Sequence, residues 1–137
     1  MPIDSARPKE NAMGLDMYAY RMDPSIPGEK ATDFDLPEGT RAKQFHYWRK
    51  HPNLHGWMEQ LYRSKGGTDE FNCATVLVSE EDLDALEAAV KGEELPETHG
   101  FFFGASHPEQ KADDLVFIAR ARAVIASGDI VVYTSWW

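Results

Sequence analysis

Residues 45–57 read FHYWRKHPNLHGW and gather the side chains with the most chemistry to offer. Arg49 can grip a phosphate or carboxylate with a two-pronged fork, and Lys50 adds a point charge. Tyr47, Trp48 and Trp57 offer flat faces on which a base or another ring can stack. Neutral His55 can donate or accept a hydrogen bond. Residues 39–65 carry six Lys/Arg against one Glu, in a chain whose formal net charge is −9. A cationic, aromatic island in an acidic chain suits a small planar ligand that bears an anion. Ordinary packing is the competing reading, with Leu54 and Trp57 in the core and Arg49 and Lys50 on a solvated face.

Other chemistries fit less well. His51 and His55 stand four residues apart, the spacing of two metal ligands on one helical face. Pro52 lies between them and puts His51 before the helix, and no Glu follows His51 as a metallohydrolase requires, so no metal is expected. Cys73 sits in an apolar run, where a lone cysteine is a small buried hydrophobe rather than a nucleophile. The chain has no G-x-S-x-G, P-loop or G-x-G-x-x-G. Asp16 can serve as a general base or as an ion-pair partner of Arg49, and the ion pair is the favoured reading. No catalytic residue is assigned, no cofactor is expected, and the balance leans away from an enzyme. Glu80, Glu81, Asp82, Asp84 and Glu87 crowd one helix. They read as a solvated face with charges that favour the helix N-terminus, or as a phosphate-like track for a basic partner.

The elements that must position these residues follow from periodicity and punctuation. Residues 1–12 read as a flexible leader, and residues 13–137 as a single α+β domain. GLDMYAYRM (14–22) alternates as a strand, with Leu15, Met17, Ala19 and Arg21 on one side and Asp16, Tyr18, Tyr20 and Met22 on the other. Pro24, Pro27, Gly28, Pro37 and Gly39 mark residues 23–40 as a long excursion. Residues 41–50 fit strand or helix equally. Pro52 suits the first turn of a helix that presents Leu54, Trp57, Met58 and Leu61 and ends at Gly66-Gly67. Phe71–Val78 reads as an apolar strand. Ser79 caps a helix closed by Lys91-Gly92, with Leu83, Leu86 and Val90 as its buried stripe. Phe101–Phe103 reads as a short buried strand. A long helix follows over 108–126, stopped by Gly128, and then a last strand over 129–137 that ends in Trp136-Trp137. The sum is a small, mostly antiparallel sheet packed against about three helices.

At 137 residues and 42% apolar content the chain can build one core. Its acidity argues against non-specific affinity for nucleic acid or anionic membrane, and direct nucleic-acid binding is not expected. One cysteine excludes an internal disulfide and a cysteine-based zinc site. No apolar run approaches the ~20 residues of a membrane span, and the N-terminus lacks the apolar core of a secretory signal. A cytoplasmic location is expected.

The ordered set Met13-Gly14-Leu15-Asp16-Met17-Tyr18, Tyr47-Trp48-Arg49-Lys50 with His55 and Trp57, Phe101–Gly104, and Tyr133 with Ser135-Trp136 resembles a family of small, uncharacterised phage and prophage proteins. The likeness spans most of residues 13–137, and members of that family start at a position like Met13. This chain departs from the pattern in its leader, its Pro-rich insertion and the extra Trp137. The resemblance implies an accessory protein inside an infected or lysogenic bacterium, and it supplies no activity. Because polar residues belong to the matching set, it favours a real site made of Asp16, Tyr18, Tyr47, Trp48, Arg49, Lys50, His55, Trp57 and Phe102. Capture of a small anionic or nucleotide-like ligand in an anti-defence role is the first expectation. The alternative is an anti-CRISPR-like inhibitor whose acidic helix covers the nucleic-acid surface of a basic host defence protein. A small nucleotide- or sugar-phosphate-processing enzyme with His55 and Asp16 as acid and base is the third.

Overall fold

The computed structural model describes residues 14–100 and 103–137. Four strands, β1 (Asp16–Met22), β2 (Ala42–Arg49), β3 (Val76–Val78) and β4 (Ile130–Trp136), form one antiparallel sheet in the order β2-β1-β4-β3. Three helices, α1 (Pro52–Ser64), α2 (Glu80–Lys91) and α3 (Gln110–Ala126), cover one face. The α+β architecture with a small antiparallel sheet and three helices is as the periodicity predicts.

Alternation along β1 sorts the residues between two layers. Leu15, Met17 and Ala19 join Met58, Leu83, Leu86, Phe117, Ile118, Val131 and Tyr133 in the main core under the helices. Met22 joins Phe34 and Val132 on the other face, beneath Ile26 and Leu36. The 23–40 excursion is thus a partial cover for the outer face. It is tied to the sheet edge by a bridge between Thr32 and Val76 and by Leu77 N–H to the Ala31 carbonyl at 2.9 Å. The Phe34 N–H donates to Thr75 Oγ1 at 3.0 Å, and that hydroxyl donates to the Phe34 carbonyl at 2.8 Å.

Residues 42–49, open between strand and helix in the sequence, are a strand with a bulge. The register against β1 steps from Ala19↔His46 to Tyr20↔Gln44, so Phe45 is the extra residue. Phe45 stacks on Phe117 at 5.9 Å between ring centroids, and His46 meets the same ring at 5.4 Å. Two successive side chains therefore face α3, which a regular pleat forbids.

The 71–78 run is only partly a strand. Pairing begins at Val76, and Cys73 adopts φ 63° with its side chain exposed. The expected buried cysteine is corrected accordingly. The segment is apolar because Phe71 and Ala74 are buried, although the chain bends between them. The last helix starts at Gln110 rather than 108, after a turn in which Gln110 Oε1 accepts the His107 N–H at 2.6 Å. Ser79 caps α2 in a full capping box with Asp82. The leader and Phe101–Phe102 lie outside the described residues.

Candidate functional site

The sheet divides the aromatic–cationic island in two. β2 points Tyr47 and Arg49 to the outer face and His46 and Trp48 toward the helices. The register places Arg49 opposite Asp16 and Tyr47 opposite Tyr18, with Trp136 and Thr134 as their neighbours on β4.

On the outer face Asp16 organises the group. Its buried Oδ1 accepts the Tyr47 hydroxyl at 2.6 Å and Arg49 Nη1 at 2.9 Å. The Tyr47 phenol is pushed up to about 12, first by burial of its hydroxyl end and then by the Asp16 carboxylate. It is a hydrogen-bond donor at any physiological pH, not an acid. Tyr47 as a residue is 44% exposed, and its ring centroid lies 5.5 Å from that of Tyr18, which in turn lies 6.3 Å from that of Tyr20. Beside Tyr20 the stripe opens into a groove of about 520 Å³ lined by Phe34, Leu36, Cys73 and Trp136 together with Asp35 and Glu38. Lys50 turns the chain from β2 into α1 with φ 54°. Its stem lies against Gly14 and Gly104, and a Cβ on Gly14 would come within 2.8 Å of Arg49 Nη2. Among the described residues Lys50 makes no ion pair.

The inner members do different work. Trp48 is 3% exposed, meets Phe117 edge-on at 4.7 Å and donates Nε1–H to Asp114 Oδ1 at 3.1 Å. His55 is fully enclosed, with Nδ1 2.6 Å from the Tyr133 hydroxyl and Phe71 and Phe103 as ring neighbours. Burial depresses its pKa to about 4, a backbone hydrogen bond with Phe71 opposing, so it is a neutral core residue. Trp57 packs half-buried against the core. Phe102 falls outside the described residues, while Phe103 is buried edge-on to Trp137 at 5.0 Å. The expected single face thus reduces to Asp16, Tyr18, Tyr47, Arg49 and Lys50. His55 and Asp16 stand on opposite faces of the sheet and form no acid–base pair.

The acidic helix is compensated only in part. Asp82 caps α2 and pairs with Lys65, while Asp84 and Glu87 both hold Arg122, at 2.7 and 3.0 Å. Glu80 and Glu81 remain as exposed carboxylates in the first turn.

One constellation escaped the sequence reading. His51 Nε2 lies 2.8 Å from Asp114 Oδ2, and His51 Nδ1 lies 2.7 Å from Ser106 Oγ. A signal for it existed. Asp114 falls on the apolar stripe of α3, at helical spacing from Phe117, Ile118 and Ala121, and an acid there needs a buried partner. Among the described residues no group of three His, Cys, Asp or Glu side chains is arranged to hold a metal ion. Among them also, no helix is long and apolar enough to cross a membrane. No protein-family model, curated protein or solved structure matches the chain.

Proposed function

We propose that this chain is a binding protein that holds a small planar, anionic ligand, such as a nucleotide, on the outer face of its sheet. The observation that supports this most is the exposed Tyr47 ring beside an Arg49 guanidinium already fixed by Asp16. Asp16 uses one guanidinium nitrogen, and Lys50 stands next in sequence with no acid beside it among the described residues. A ring stacked on Tyr47 would bring its anion to the Arg49–Lys50 end. The resemblance to phage proteins gives that capture its setting, an accessory anti-defence role in the cytoplasm of an infected or lysogenic host. The inhibitor alternative is less favoured, because three of the five carboxylates on α2 are already occupied by cations of this same chain.

Mass spectrometry of small molecules released by denaturing the purified protein tests the reading directly. Near-stoichiometric release of a ring-bearing anion is the expected result, and release far below one per chain counts against it. Tyr47→Leu removes the stacking ring at an exposed position and should weaken binding by about 1–3 kcal/mol, roughly 5- to 150-fold. Arg49→Lys keeps a cation for Asp16 but loses the fork, and should weaken binding without unfolding the chain. Trp48 variants are poor probes of the site, since that ring belongs to the core.

A further inference from the structure

We propose that Ser106 is a nucleophilic serine, activated by His51 and Asp114, in a small cleft that accepts short-chain carboxylic esters. The site lies under the helices, across the sheet from Tyr47. Asp114 is 1% exposed, and its carboxylate can only accept, so the hydrogen bond at 2.8 Å puts the His51 proton on Nε2. Nδ1 is then the lone-pair nitrogen, and Ser106 Oγ lies 2.7 Å from it, within reach for proton transfer. The three groups thus form a serine–base–acid relay, with the two ring nitrogens in the reverse of the usual roles. Trp48 Nε1 fixes the other oxygen of Asp114. The Asn53 N–H, in the first turn of α1, donates to Ser106 Oγ at 3.1 Å and favours negative charge there.

The relay opens onto a cleft of about 280 Å³ between the N-terminal ends of α1 and α3 and the C-terminal end of α2. Val90, Leu95 and Pro108 give it apolar walls, and His107 and Lys111 stand at its polar side. Lys111 is held by Glu93 at 3.3 Å, which leaves little net charge to favour an anionic acid. That volume sits at the small end of ligand pockets and suits an acyl group of a few carbons. The chemistry closes with water as co-reactant. Ser106 Oγ bonds to the ester carbonyl carbon as its proton passes to His51 Nδ1. The bond from that carbon to the alcohol oxygen then breaks, and the alcohol leaves with the proton. Water repeats the sequence on the acyl-serine and returns Ser106 to its hydroxyl form.

A purely structural Ser106 would tie the 93–109 connection to the start of α1 and react with nothing. Incubation of the full chain with diisopropyl fluorophosphate, followed by intact mass and peptide mapping, separates the two. One adduct on Ser106 is expected, with labelling slowed roughly 100-fold or more in His51→Gln. 4-Nitrophenyl acetate should give an acyl burst that the octanoate ester gives far more weakly. Circular dichroism checks that each variant is folded. Absence of an adduct on Ser106 in the folded wild-type chain overturns the proposal, and so does equal labelling in a folded His51→Gln variant. Because Ser106→Ala also removes the acceptor for Asn53 N–H, Ser106→Cys serves as the second variant. Its new thiol should be alkylated by iodoacetamide faster than Cys73, and a rate no greater than that of Cys73 counts against activation by His51.

Discussion

Two inner residues of the aromatic island carry measurable stability. Trp48 satisfies one oxygen of a buried carboxylate, so Trp48→Phe leaves Asp114 Oδ1 without that donor. The cost should be about 1–3 kcal/mol, read as a lower urea midpoint at unchanged slope. Folding lowers the proton affinity of His55, from an ordinary 6.5 to about 4. The unfolded chain therefore takes up this proton first as the solution is acidified. The contribution is whole above pH 6.5 and is lost as pH falls from 6.5 toward 4. The loss amounts to about 3 kcal/mol at the acid end of that window. In His55→Gln the fall in melting temperature between pH 7 and pH 4.5 should be shallower than in wild type, and an unchanged slope refutes the assignment. The Asp16–Arg49 pair was legible in the sequence from the two residue types and the strand at 14–22. The enclosure of His55 was not, because its partner Tyr133 lies 78 residues away.

Elements were readable wherever local chemistry decides them. Ser79 followed by three acids announces a helix start, and the capping box delivers it. Ser79→Ala should cost about 1 kcal/mol in chemical unfolding, with no change in the outer-face site. Pro52 and Gly66 bracket α1 in the same way. Residues 41–50 resisted reading for a physical reason. The bulge at Phe45 breaks the period-two pattern by sending Phe45 and His46 to one side, so neither template fits the string FHYW. The 71–78 run misleads in the opposite direction. Its apolar residues are core residues in a bent chain, held by Cys73 N–H to the Ser135 carbonyl at 2.8 Å and by the Asn72 amide on Trp137. The division of the island between two faces follows from the bulged strand, and so it was hidden with it.

At the scale of the whole molecule, charge and topology dominate. The chain carries a formal −9, and its densest run of acids on α2 is only partly neutralised by Lys65, Lys91 and Arg122. Mutual repulsion among the surplus carboxylates opposes compaction, so screening should help. Raising sodium chloride from 20 to 300 mM should lift the melting temperature by about 4 °C, roughly 1 kcal/mol. A drop instead would mean that the surface ion pairs outweigh the net repulsion. The fold class was legible from the string of elements, but the strand order was not, since it rests on pairings between residues more than a hundred positions apart. Those pairings set a timetable for synthesis. Apart from the bridge at Thr32, β3 pairs among the described residues with β4 alone, and one side of β1 is unclaimed until β4 arrives. A growing chain can assemble the β1–β2 pair and its helices on the ribosome, yet its sheet stays in two pieces until residue 136 clears the exit tunnel. Loss of Ile130–Trp136 would remove the inner strand that joins those pieces, not a dispensable tail.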